Sequence, residues 1–109
     1  MTQKTPMDLL REFAPAFAAN QMEARRLLFE SSEHQAVPNK YKLLAGIAVA
    51  AALGSVTCTD MWTQMALKAG ASKEEVAEII QVARYMKMAT VNDTVSSTFR
   101  ILEEHCRNK

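Results

Sequence analysis

From Leu43 to Leu53 the chain carries eleven consecutive residues without a polar side chain: Leu43, Leu44, Ala45, Gly46, Ile47, Ala48, Val49, Ala50, Ala51, Ala52 and Leu53. The run is too short to span a bilayer, which takes roughly 20 apolar residues. Its Ala and Leu content favours helix. A helix apolar on every side is expected to be buried on every side. Small residues along it let neighbouring backbones come close. The run therefore predicts the central helix of an all-α fold, and the rest of the chain is read around it.

Pro38 suits the first turn of this helix and Gly54 its end, which gives a span of about Pro38 to Leu53. Upstream, Thr5 and Pro6 predict a cap and first position of a first helix, with Leu9, Leu10 and Phe13 on its apolar face. Pro15 breaks or kinks that pattern, or opens a second helix running to about Ser31. Ser31 to Val37 is polar and reads as a connection. Downstream, a helix is expected from Val56 or Thr57 to Ala69, capped by Ser55 or Thr57 and stopped by Gly70. Ser72-Lys73-Glu74-Glu75 is a capping box. It opens an amphipathic helix with Val76, Ile79, Ile80, Ala83 and Met86 on one stripe, ending near Met88 or Ala89. Asn92 or Thr90 can cap a last helix whose apolar face is Val95, Phe99, Leu102 and Cys106. Residues 1–4 and 107–109 are expected to be loose. The total is five or six helices with short connections, in a single domain over residues 1–109.

The chain has 109 residues, a formal net charge of +1 and both signs mixed along its length. That balance gives no electrostatic reason to propose a nucleic acid or an anionic membrane as partner. The apolar share, 49% in so short a chain, points to a subunit interface and so to a homo-oligomer. Two cysteines far apart in sequence make no disulfide framework. The polar N-terminus has no signal-peptide core, so a cytoplasmic setting with reduced thiols is expected. No cofactor and no metal are expected. His105 and Cys106 are adjacent, and neighbours on a helix point in different directions.

Chemistry, if present, centres on Gly54 to Trp62. Cys58 falls in the first turn of the helix after Gly54. Helix N-termini favour thiolate through their dipole and free N–H groups. Cys58 reads either as such an activated thiol or as a buried, inert cysteine. Ser55 and Thr57 carry hydroxyls within reach of it, or serve as caps. Asp60 is a nearby base or a dipole-stabilising first-turn acid. Trp62, one turn on, covers the thiol, shapes a pocket or fills a core. His34, in the polar connection, folds back toward the cysteine turn or stays solvated. The methionines, Met61, Met65, Met86 and Met88 among them, line a pocket or pack a core.

Two segments together resemble a known family. They are Lys40-Tyr41-Lys42-Leu43-Leu44-Ala45-Gly46-Ile47-Ala48-Val49-Ala50 and Ala66-Leu67-Lys68-Ala69-Gly70-Ala71-Ser72-Lys73-Glu74-Glu75-Val76-Ala77-Glu78-Ile79-Ile80. Set either side of the cysteine turn, they are similar to the carboxymuconolactone decarboxylase and alkylhydroperoxidase D-like family, over about residues 38–105. The resemblance implies an all-helical fold and a closed oligomer, a trimer or hexamer. In peroxidase-like members it implies a Cys-x-x-Cys-x-x-x-His motif and a Glu on the preceding helix. There the second Cys attacks peroxide, the first resolves the sulfenic acid, and Glu and His move protons. On this sequence the second Cys is Cys58, the first is Ser55, the His is Trp62 and the Glu is Leu43. The expectation is thiol-dependent peroxidase activity through Cys58, recycled by an external thiol reductant. Its alternatives are a catalytically reduced member that binds a small ligand or partner, and a decarboxylase-type enzyme using Lys40, Lys42 or Arg84 for a substrate carboxylate.

Overall fold

The computed structural model describes residues 3–108 as six helices and one 3-10 turn, with no strand among the described residues. The chain divides into two compact units, one up to Asn39 and one from Lys40 onward.

In the first unit, α1 spans Pro6–Phe13 and α2 spans Pro15–Phe29. Thr5 caps α1: its Oγ1 accepts from the Asp8 N–H at 3.1 Å, and Asp8 Oδ2 accepts from the Thr5 N–H at 2.9 Å. Ala14 leaves helical geometry (φ −147°, ψ 66°), and Pro15 opens α2 as a proline at a first helical position can. Pro15 thus begins a helix rather than kinking one. A 3-10 turn follows at Ser32–His34, inside the stretch expected to be a plain connection. The Asn39 side-chain amide donates to the Phe29 carbonyl at 2.7 Å and so satisfies one of the open carbonyls at the end of α2. Lys4, expected to be loose, reaches Glu12 at 2.6 Å. Met1, Thr2 and Lys109 lie outside the described residues.

The second unit holds α3 (Asn39–Leu53, beginning at the boundary), α4 (Val56–Lys68), α5 (Lys73–Thr94) and α6 (Ser96–Arg107). Gly54 (φ +81°) ends α3 with two bonds, Ser55 N–H to Ala50 C=O at 3.0 Å and Gly54 N–H to Ala51 C=O at 3.1 Å. Gly70 (φ +97°) ends α4 in the same way, through Ala71 N–H to Ala66 C=O and Gly70 N–H to Leu67 C=O. Each joint needs a residue in the left-handed region, which glycine enters without a Cβ penalty. Gly46 and Trp62 lie equally far from Gly54 in sequence, eight residues on either side. A Cβ on Gly46 would lie 3.5 Å from the indole, which fixes α3 and α4 as an antiparallel pair. Two contacts then set α5 parallel to α3. Lys40 Nζ meets Glu75 Oε2 at 3.0 Å, and twelve residues further along both helices Lys87 Nζ donates to the Ala52 carbonyl at 3.0 Å. The buried side chains of this unit are Leu43, Leu44 and Ile47 of α3 and the alanines Ala50, Ala66, Ala71 and Ala83.

Two expectations need correction. The helix α3 is buried on one side only: Val49 is 57% and Leu53 80% exposed, in line with Tyr41 and Ala45 at four-residue steps. And α5 does not stop at Met88 or Ala89 but continues to Thr94. Thr90 and Thr94 hydroxyls bond back to the Lys87 and Thr90 carbonyls at 2.7 and 2.8 Å, an arrangement compatible with helix. Neither Thr90 nor Asn92 caps α6; the break falls at Val95 (φ −95°, ψ 4°).

Candidate functional site

The turn between α3 and α4 places the candidate residues. Ser55 has extended backbone geometry (φ −95°, ψ 101°) and caps α4, its Oγ accepting from the Cys58 N–H at 3.3 Å. The Ser55 carbonyl in turn accepts from the Thr59 N–H at 3.0 Å and the Thr59 hydroxyl at 2.6 Å. Of the two caps the sequence allows, Ser55 fills the role, and Thr57 sits exposed inside the first turn. These bonds hold the first turn, and Cys58 is its third residue. Its thiol is free and exposed, not buried.

Trp62 follows Cys58 by one helical turn, on the same side of α4. Its indole lies on Gly46, half-buried, so it fills the α3–α4 seam and leaves Cys58 exposed. Leu43, where the resemblance places a carboxylate, is 5% exposed and part of the core. Asp60 is two residues from Cys58, hence about 200° round the helix, and does not face it. Asp60 lines instead an open groove of about 230 Å³ with Ala51, Gly54, Ser55, Val56 and Thr59. His34 ends the 3-10 turn of the first unit, exposed. Cys106 and His105 are exposed on α6. Among the described residues no three His, Cys, Asp or Glu side chains are grouped to hold a metal ion, and no helix is long and apolar enough to cross a membrane.

Electrostatics in the second unit concentrate at the far end of α3. Glu75 accepts from the Ser72 N–H at 2.8 Å while its other oxygen meets Lys40. The Ser72 N–H and then the Lys40 ammonium hold its carboxyl below the usual value, and Glu75 holds the Lys40 ammonium above its own. Lys40, one of the three cations considered for a substrate carboxylate, is thus engaged with Glu75.

Sequence reasoning missed three features. One is Gly46 as the bed of Trp62, which the equal spacing about Gly54 could have signalled. The others are the Lys40–Glu75 and Lys87–Ala52 contacts, which join residues 35 apart and carry no local signal. The model of the carboxymuconolactone decarboxylase family matches residues 15–95, about three quarters of the chain. No curated protein and no solved structure matches it.

Proposed function

The chain belongs to the carboxymuconolactone decarboxylase family, and from that membership we propose that it is a one-cysteine, alkylhydroperoxidase D-like thiol peroxidase acting through Cys58. The observation that carries the reading is the exposure of Cys58 in the capped first turn of α4. Anionic groups are favoured at such a terminus. The Cys58 thiolate attacks the outer peroxide oxygen. The O–O bond breaks, the alcohol leaves with a proton from solvent, and the sulfur is oxidised to a sulfenic acid. With Ser55 in place of a resolving cysteine, no disulfide forms within the turn. An external thiol condenses with the sulfenic acid, releasing water, and a second thiol exchanges onto the mixed disulfide and frees Cys58. A cytoplasmic thiol pool suits this cycle. Turnover is weak, because Leu43 and Trp62 move no protons.

The chain works as a homo-oligomer in this proposal. Within the second unit alone, large apolar side chains stand exposed, Val49, Leu53, Val56, Tyr85, Phe99 and Ile101 among them, and association with another copy is what would cover them. A second reading, a family member that binds a ligand without turnover, draws on Trp62 and Leu43 standing where proton carriers are expected. The groove beside Ser55 and Asp60, at about 230 Å³, is smaller than the 300–1,000 Å³ or so of ordinary ligand pockets.

The test is to treat the reduced protein with peroxide, trap sulfenic acid with a dimedone-type probe and locate it by peptide mass spectrometry. Rapid labelling at Cys58, with loss of peroxide consumption in Cys58→Ser, is the expected result. Labelling of Cys58 no faster than free cysteine, or consumption unchanged in Cys58→Ser, refutes the peroxidase reading and leaves the binding one.

A further inference from the structure

The C-terminal part of the chain carries a second pattern that thiol chemistry does not use. Tyr85, Met88, Asn92, Val95, Phe99, Leu102 and Cys106 follow one another at alternating steps of three and four residues across α5 and α6. This is the spacing of a seam between paired helices, with an apolar residue at every position but Asn92. The chain leaves the seam open. No residue of α6 is buried, and Tyr85, Met88, Phe99 and Leu102 are 64%, 58%, 63% and 50% exposed. A groove of about 540 Å³ lined by Gln81, Arg84, Tyr85 and Met88 lies at its start. The break at Val95 divides the seam into two helical segments.

We propose that this seam is the surface through which two copies of the chain pair about a two-fold axis, seam against seam. The proposal rests on the reading of the chain as a homo-oligomer and names the face that makes the assembly. Three features favour a second copy over other occupants. The first is area. An aromatic side chain can bury roughly 150–250 Å², and Met and Leu are taken at about the lower part of that range. At their observed exposure the four largest seam residues offer about 500 Å² per copy, or about 1,000 Å² in a symmetric pair, the threshold of a specific interface. The second is charge. The polar side of α6 holds Arg100 and Arg107 against Glu103 and Glu104, with Arg107 bridged to Glu103 at 3.3 Å. A helix that lies on an anionic lipid surface is instead rich in Lys and Arg. The third is Asn92: a single amide in an apolar seam pairs well with its own copy and fixes register there.

The test compares wild type with the double variant Phe99→Glu/Leu102→Glu by sedimentation equilibrium. Circular dichroism confirms helix content, which α6 substitutions should spare because α6 buries nothing within the chain. The expected result is an assembled wild type and a variant whose mass falls by at least half. A monomeric wild type overturns both the oligomer and the seam. An assembled wild type with a variant of equal mass overturns the seam alone. Co-sedimentation of wild type, but not of the variant, with phosphatidylglycerol vesicles also overturns it, by identifying the seam as a lipid surface. A second measurement needs no variant. In the assembled wild type, maleimide is expected to label Cys106 severalfold more slowly than Cys58, and equal rates refute the pairing.

Discussion

Replacing Gly46 by alanine adds one methyl group at the point where α3 meets Trp62. The methyl carbon would lie 3.5 Å from Cγ and Cδ2 of the indole and 3.9 Å from Cδ1. Those are ordinary contact distances, so nothing need move. Two terms then favour the variant. Glycine in a helix interior is about 0.8–1.0 kcal/mol less favourable than alanine, chiefly through the unfolded chain's freedom. Three new carbon contacts add about 0.1–0.2 kcal/mol each. Gly46→Ala should therefore stabilise the protein by about 1 kcal/mol, which for a domain of this size raises the thermal midpoint by roughly 4–6 °C. The assay is thermal and urea unfolding followed by helix circular dichroism. Protein concentration must be held constant, since assembly adds a concentration-dependent term. A larger side chain tests the other limit: Gly46→Leu should displace the indole and destabilise by about 1–3 kcal/mol. A Gly46→Ala variant less stable than wild type would refute the reasoning, because it would mean that the helices already touch at Gly46.

The other two glycines should behave oppositely. Gly54→Ala and Gly70→Ala force alanine into the left-handed region (φ +81° and +97°), and each is expected to lose about 1–2 kcal/mol in the same unfolding assay. A further prediction concerns acid. Glu75 has its folded carboxyl held below the ordinary value of 4.5. Its contribution is therefore complete above the unfolded value and is lost as pH falls through the folded one. Unfolding measured from pH 7 down to pH 3 should show wild type losing stability below about 4.5 more steeply than Glu75→Gln, and parallel profiles would remove Glu75 as a cause.

What was legible in the sequence was what a few neighbouring residues decide. Gly54 and Gly70 end helices because no other residue sits as easily at their φ, and Thr5, Ser55 and Ser72 start helices through their own hydroxyls. The place of Cys58 in a first turn followed from those two facts. The end of α5 was not legible, because Thr90 satisfies its hydroxyl as well by bonding back to Lys87 inside a helix as by capping a new one. The open side of α3 was not legible either: an apolar residue states a preference for burial, and whether a partner meets Val49 and Leu53 depends on distant parts of the chain or on another chain. The candidate site divides in the same way. The hydroxyl cap and the thiol belong to one turn. The seat of Trp62 belongs to two helices.

That seat bears on what a histidine at position 62 would do to the helix pair. Trp62→His alone would withdraw most of the indole from its bed on Gly46 and remove contact between α3 and α4. A leucine at position 46 would fill that space, yet against the present tryptophan it would collide, where alanine would not. Trp62→His and Gly46→Leu are each expected to be unfavourable alone, so the two positions are coupled rather than independent. Placing a proton carrier at position 62, one turn from Cys58, is then tied to the residue at position 46, although the two lie on different helices.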